Sequence, residues 1–549
     1  MAFVVLVGES SGGGDKVVAG FGAVIIGYLI LCAAVYRVLL HPLRTYPGPL
    51  LAKVTDWYAG LQAFEKITHL RIYENHDKYG PVVRLGPNRL VFNTAQALHD
   101  IYQNDAVSKS YTYDSTVRNG KHNVFTVQDK KIHRSKRRLV GSALTERAAR
   151  IFEPVVLDQV DIYLRQLYHH GRKEGEAINY TARAKWLAID IVGLLSFGYD
   201  LSTQTREENR FMSRSLGFGL HRGNVWHYLY FLNRFWVDGV FDHVFYGFRE
   251  RYFRLLEKMI TSRVAREKEG GGGGGGGDDE RRDFFSFIAE MEDVGNSSGS
   301  GGNSSSVRKG ELWGEANLLI IAGSDTTSAA LSAVMFYLSR HPTCYARLAS
   351  EIRSVFSDGR DIKSGPRLAS CTYLRACIDE AMRMSPPVPA TLWREQDPQS
   401  PSPHIVIDGH VVPKGTLFGV STYALHHNEE YFPDSFTFKP ERWLDHDDTN
   451  SNKKAMHAAF SPFSVGSRSC AGKPLAYMES SVVLAKTMWY FDFERAEGEL
   501  GDVGAGKLDG PSGRERPGEF QLEDVFTARH DGPYLVFKPR GELWKDFEA

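Results

Sequence analysis

The sequence predicts a mainly α-helical protein with a minor β part, one large domain behind an N-terminal transmembrane helix. Three observations carry that prediction. Residues 17–36 run for twenty positions without a charge. Helical patterning dominates from about residue 128 to 265 and again from 316 to 384. Strand signals are short and sit at both ends of that helical block. With 549 residues, 42% of them hydrophobic, the chain can bury a large core.

Twenty helical residues span roughly 30 Å, the hydrocarbon thickness of a bilayer. A cleaved signal peptide would carry a shorter apolar stretch behind positive charge. Here Glu9, Asp15 and Lys16 precede the run, and Arg37, Arg44 and Lys53 follow it. The positive-inside rule then makes 1–16 a short lumenal N-terminus, 17–36 the anchor, 37–50 a proline-rich hinge and 51–549 a cytosolic domain. The sequons at Asn179, Asn296 and Asn303 would face the side where no glycan is added.

After the anchor, Tyr46-Pro47-Gly48-Pro49 breaks the helix stiffly. Residues 82–85 and 89–92 flank Gly86-Pro87-Asn88 as a hairpin. The helical region beyond 128 concentrates aromatics between Phe211 and Phe253. Glycine and serine runs at 270–277 and 296–306 enclose a short helical piece at 284–291, a flexible surface insertion over about 267–307. No GKS or GKT follows the glycine run, so it is not a phosphate loop. Residues 316–339 hold a single charge, Asp325, within Gly323-Ser324-Asp325-Thr326-Thr327, which is costly to expose to lipid and points to a buried core helix. Helices follow Pro342 and cover 371–384; 404–412, with an Asp408-Gly409 turn, and 417–422 read as strands.

Charge and cysteine content narrow the function. Sixty-six basic and sixty-six acidic residues leave no net charge to gather phosphates, so no nucleic-acid partner is expected. Five cysteines without CxxC spacing suit a reducing compartment.

The chemistry-bearing motifs come late. Phe463-Ser464-Val465-Gly466-Ser467-Arg468-Ser469-Cys470-Ala471-Gly472 places a cysteine in a glycine-bounded turn just before a helix. A helix N-terminus offers free N–H donors and partial positive charge, which favour a thiolate. Glycines there let backbone approach a flat cofactor. Alone, such a cysteine is more often a small buried residue. Glu380-Ala381-Met382-Arg383 places opposite charges on one helix face, and Pro440-Glu441-Arg442-Trp443 adds a second arginine. Ala322-Gly323-Ser324-Asp325-Thr326-Thr327 is either a helix bent by hydroxyls bonding to earlier carbonyls or an opened groove with an acid and an alcohol for proton relay.

Taken together, FxxGxRxCxG, ExxR, PER[FW] and [AG]Gx[DE]T[TS], in that family's order along the chain, resemble the cytochrome P-450 family, and details such as His41-Pro42-Leu43 and the segment after Cys470 resemble its fungal microsomal members. The resemblance implies the cytochrome P-450 fold with haem b bound through the Cys470 thiolate. It implies Phe463 and Gly472 beside the haem, Arg468 and Arg394 on its propionates, and Asp325 with Thr326 in proton delivery. Glu380, Arg383 and Arg442 would support the cysteine loop. Arg137 is a third propionate partner, although His133 stands where the family often has Trp; the basic run around it could instead be a solvated face or dock an acidic redox partner.

The implied reaction inserts one oxygen atom of O2 into a lipophilic small molecule, in secondary metabolism or xenobiotic breakdown, at the endoplasmic reticulum membrane. Electrons would come from NADPH through a separate reductase, with cytochrome b5 as a further donor, since no flavin or dinucleotide fingerprint is present. The 111–125 loop, the aromatics after Phe211, 319–322, 388–392 and the Phe526–Thr527 turn would line the substrate pocket, while aromatics near 226–236 could equally meet the bilayer. Competing readings are a haem-thiolate isomerase, dehydratase or peroxide-using relative, a haem-based sensor or carrier, and a membrane scaffold that keeps the fold alone.

Overall fold

The computed structural model describes residues 14–117, 122–171, 176–234, 237–270, 283–284, 304–444 and 451–547. Most of the 267–307 insertion, with Asn296 and Asn303, and most of the 1–16 segment lie outside the described residues.

Helix Gly14–Val35 continues into a π-turn at Tyr36–Leu40. Among the described residues two stretches are long and apolar enough to cross a membrane: Phe21–Leu40, none of it buried, and Trp313–Arg340, 72% buried. The second is therefore packed as a core helix, as its polar centre predicts. The hinge is fastened to the domain by Arg84, which donates through its guanidinium to the carbonyls of Arg37 (2.9 Å) and Pro87 (2.8 Å) and through its amide to Pro47 (2.7 Å). Gly48 lies so close beneath that a Cβ would stand 2.5 Å from the Arg84 carbonyl oxygen.

A five-stranded sheet follows the order Val82–Gly86, Arg89–Phe92, Leu417–Val420, Arg394–Gln396, Val107–Lys109. Its one parallel pairing joins Arg89–Phe92 to Leu417–Val420. The strand expected over 417–422 stops at Val420, because Ser421 turns the chain and its hydroxyl accepts the Ala424 amide to cap a short helix. A second sheet holds Ile178–Asn179, Tyr534–Pro539 and Phe491–Arg495. Two hairpins complete the β part: His404–Ile407 with His410–Pro413, turning through Asp408 and Gly409 at φ 48° and 74°, and Glu523–Val525 with Thr527–Arg529, turning at Phe526 with φ 87°.

The helices form the body. Central helix Ser304–Arg340 packs along Tyr180–Phe197 and contacts Thr372–Met384 and Lys473–Tyr490. Leu331, Val334 and Phe336 from the central helix meet Val482, Val483 and Leu484 in one apolar core. Asn179 caps Tyr180–Phe197 through its Oδ1 and donates from Nδ2 to Asp531 (2.7 Å), so its amide is engaged within the protein. Of the aromatics over 226–236, Trp226 is buried at 2% exposure and lines a cavity, Phe231 is exposed, and Trp236 lies outside the described residues.

Candidate active site

The cysteine loop is shaped by backbone. The Cys470 amide donates to the Phe463 carbonyl at 2.9 Å, closing the turn. Gly466 takes φ 78°, and a Cβ on it would fall 2.1 Å from the Tyr102 carbonyl oxygen, so only glycine fits. Gly472 differs. It caps Lys473–Tyr490 with φ −81°, and a Cβ there would meet nothing nearer than the Cys470 sulfur at 3.9 Å. Its missing side chain keeps space open beside the sulfur.

That sulfur lines a cavity of about 730 Å³ and is accessible from inside it, while protein surrounds it on the other sides. Burial pushes the Cys470 thiol up. The Gly472 and Lys473 amides and the Arg137 and Lys473 charges pull it back toward the thiolate. Phe463 lines the same space and packs on Tyr477 (centroids 5.0 Å apart).

Cations crowd the rim of this site. Arg137, on helix Lys130–Ser142, donates to the Ser469 carbonyl (2.6 Å) and so ties that helix to the loop. Arg468 donates to the carbonyls of Val127 and Gln128, and burial with the neighbouring Arg394 charge lowers its pKa to about 10. Both line the cavity; Arg394 does not. Arg394 is buried behind it, donating to the Trp393 carbonyl (3.1 Å) and lying over the Tyr102 ring.

Sequence reasoning missed Lys109. It pairs across the sheet with Arg394, lines the cavity, donates to the Phe125 carbonyl and sits over the Phe125 ring at 4.0 Å. Burial first, then Arg394, Arg468 and Arg137, hold its pKa well below the usual lysine value. Like charges opposite each other on a sheet repel, and an anion in the cavity would relieve that repulsion. A lone lysine in a three-residue strand carries no pattern that would announce this. His133 lines the cavity in the same cluster, and burial with these cations lowers its pKa to about 3.

Ala322, Gly323, Thr326 and Thr327 of the central helix form a further wall of the cavity. Thr326 donates its hydroxyl to Ala322 (2.7 Å) and Ser324 to Ile320 (2.6 Å), the back-bonding that the motif allows. Asp325 is not part of that wall. It points at Lys185 of the Tyr180–Phe197 helix, Nζ to Oδ1 3.9 Å, and burial raises its pKa while Lys185 opposes. The expected substrate-contacting segments all reach the cavity: Phe125, Phe218, Leu319, Val388, Leu392, Phe526 and Thr527 among them. Glu479 is the only carboxylate among the described lining residues. Its Oε1 has no partner, and burial alone raises its pKa to about 8.

Behind the loop, Glu380 gathers the two predicted arginines. Arg383 donates from Nε (2.9 Å) and Nη2 (3.0 Å), and Arg442 from Nε (2.9 Å).

A mainly helical body with a cysteine sulfur opening into a cation-rimmed cavity beside a long central helix defines the haem-thiolate class of proteins. The chain belongs to the cytochrome P450 family: the Cytochrome P450 family model matches residues 49–502. Three similar proteins all carry the name cytochrome P450 monooxygenase. Apf7 of Gibberella fujikuroi is 34% identical over 538 residues, covering 94% of this chain and 97% of its own. AKT7 of Alternaria alternata is 33% identical, covering 94% and 96%, and poxM of Penicillium oxalicum 36%, covering 92% and 91%. The protein is thus an oxidoreductase of the monooxygenase type, and its family binds haem through a cysteine thiolate. The residues present fit that group: an inward-facing thiol with amide donors, open space at Gly472, and cations in excess over carboxylates on the wall.

Proposed function

We propose that this enzyme inserts one oxygen atom of O2 into a lipophilic small molecule in secondary metabolism or xenobiotic breakdown. NADPH supplies electrons through a separate cytochrome P450 reductase, with cytochrome b5 as a further donor. The observation that carries the reading is the shared cavity, which both Cys470 and Thr326 line.

In this reading Cys470 would hold haem b through its sulfur, and Phe463 and Gly472 would border the cofactor. Arg137, Arg468 and Lys109 would hold the propionates, with Arg394 behind them. When bound, haem supplies the activation of dioxygen at its iron. The protein's own residues do the rest. Amides of Gly472 and Lys473 keep negative charge on the sulfur. Thr326 can swing its hydroxyl from the Ala322 carbonyl into the cavity to hold a proton or a water. Asp325, facing Lys185, takes protons from the outer side and turns inward to pass them to Thr326. The apolar lining excludes water and packs a lipophilic substrate. Glu380, Arg383 and Arg442 keep the loop in place.

The same reading places 17–36 once across the endoplasmic reticulum membrane, 1–16 in the lumen, 37–50 as hinge and 51–549 as the cytosolic catalytic domain. In support, exposed Leu39, Leu40, Leu50, Leu51, Trp57, Leu61 and Phe64 continue an apolar surface from the helix onto the domain.

Co-expression with a reductase and a carbon monoxide difference spectrum test it. The full chain should give the ferrous carbonyl band of thiolate-ligated haem, and Cys470→Ser and Cys470→Ala should lose it. Thr326→Ala should keep the band but divert electrons to peroxide. A band that survives Cys470→Ala overturns the reading, and unchanged coupling in Thr326→Ala removes Thr326 from proton delivery.

A further inference from the structure

One wall of the cavity is held by a residue that does not touch it. Glu315 lies on the central helix, its side chain 10% exposed, and is not among the lining residues. Both of its carboxylate oxygens accept the Val124 amide, at 3.0 and 3.1 Å, and Oε1 also accepts from Lys136 Nζ at 3.1 Å. One position earlier, the Gly314 carbonyl accepts from Asn123 Nδ2 (3.4 Å). Segment 123–126 is thereby bound to the central helix along one edge.

The segment is a preformed turn. Asn123 Oδ1 accepts the amides of Phe125 (3.1 Å) and Thr126 (2.9 Å). All four residues, Asn123, Val124, Phe125 and Thr126, line the cavity. On the far edge Phe125 packs edge-on against Tyr113 (5.3 Å) and Phe526 (5.5 Å), and its carbonyl accepts from Lys109. Glu315 thus fixes one side of a wall whose other side rests on the cation cluster and the Phe526 turn.

The energetics favour a latch over a stability element. A buried ion pair contributes little net stability over an apolar pair, because desolvation offsets attraction, although removing one partner alone is destabilising. What Glu315 and Lys136 do supply is a fixed, charge-assisted acceptor for one backbone amide. Without it the Val124 amide and the Lys136 ammonium, whose side chain is 12% exposed, both lose their partner, and the segment is free to swing outward toward water.

We propose that Glu315 is a positioning residue that latches segment 123–126 to the central helix, and that the latch sets the enzyme's preference for bulky apolar ligands over small ones. The inference rests on the monooxygenase reading for the ligand's location, but the latch itself involves only this chain.

Two measurements on full-length protein test it. The first is optical titration with 4-phenylimidazole, which must pack against the wall, and with imidazole, which need not. The second is hydrogen exchange of the peptide containing 123–126, which needs no haem. Glu315→Ala should weaken 4-phenylimidazole about tenfold relative to imidazole and speed exchange in that peptide. Glu315→Gln, which keeps an oxygen for the Val124 amide, should restore most of both. Lys136→Met should speed exchange less than Glu315→Ala. An unchanged ratio of the two affinities in a Glu315→Ala protein that still shows its carbonyl band overturns the selectivity role. Unchanged exchange in both Glu315→Ala and Lys136→Met overturns the latch. Should Glu315→Ala fail to fold, exchange in Lys136→Met decides. Loss of the carbonyl band from the unaltered chain would instead sink the haem reading and leave exchange to judge the latch.

Discussion

Glu380 accepts five hydrogen bonds and meets no solvent: three from Arg383 and Arg442, one from the Lys439 amide (3.0 Å) and one from Trp443 Nε1 (3.0 Å). Burial alone would raise its pKa, yet the charges of Arg383 and Arg442 and these hydrogen bonds hold it below the usual carboxylate value. From there support reaches the cysteine loop through His426, whose carbonyl accepts from Arg383 Nη1 (2.8 Å) and whose Nε2 accepts the Ser461 amide (2.9 Å). Glu380→Gln keeps the shape but leaves two guanidiniums without a countercharge, a loss of about 3–5 kcal/mol by analogy with broken buried pairs. Denaturant midpoints of the full chain measure it, and a loss under about 1 kcal/mol would show that the carboxylate is not the pivot. The two arginines were legible from ExxR and PERW. Trp443, Lys439 and His426 were not, because their part depends on which segments approach Glu380 in space.

At the scale of elements, the central helix was legible because a long apolar run around one charge fits only a buried helix. The reason for Gly323 was not. Beside the cavity it reads as part of an oxygen groove, but a Cβ on it would lie 2.3 Å from Val192 Cγ2 of the Tyr180–Phe197 helix. The glycine sets how closely two helices meet, and valine's stiff χ1 leaves the neighbour little room to give. Gly323→Ala gains about 1 kcal/mol of helix propensity and loses about 1–3 kcal/mol to overpacking, so a net loss of about 1 kcal/mol is expected. Val192→Ala should relieve it, giving a favourable coupling in a double-mutant cycle read from denaturant midpoints. A stabilised Gly323→Ala would mean the helices part without strain. The strands Val107–Lys109 and Ile178–Asn179 escaped the sequence for another reason: two or three residues carry no period, and their partners, Arg394–Gln396 and Tyr534–Pro539, lie far along the chain. Lys109 escaped with its strand.

For the whole molecule, buried ionisable groups confine stability to a pH window, and the sign of each follows from its shift. Glu479 has its pKa raised by burial to about 8 from 4.5, and Asp524 to about 7 from 3.8. Each oxygen pair has one member without a partner, Glu479 Oε1 and Asp524 Oδ2. Both are protonated in the folded state where the unfolded chain is ionised. Their contribution is fully present below the unfolded values and is lost as pH rises through the folded ones. Histidines act the other way. Burial lowers His69 and His426 to about 3 and His76 to about 4, from 6.5. These stay neutral when folded but are protonated when unfolded, so their contribution is present above pH 6.5 and is lost as pH falls toward the folded values. Stability should therefore peak near neutral to slightly acid pH and decline on both sides, each group adding a slope of about 1.4 kcal/mol per pH unit within its window. Denaturant midpoints from about pH 5 to about pH 9 check the shape, and Glu479→Gln isolates one group. That variant should remove about 3 kcal/mol of the decline between about pH 6 and about pH 9 and steepen the acid limb by about 1.4 kcal/mol per pH unit, because the Glu479 window opens at 4.5 and there offsets the histidines. An alkaline limb equally steep in wild type and Glu479→Gln would mean that the carboxyl is ionised inside the fold, with a cation or water reaching it through the cavity it lines.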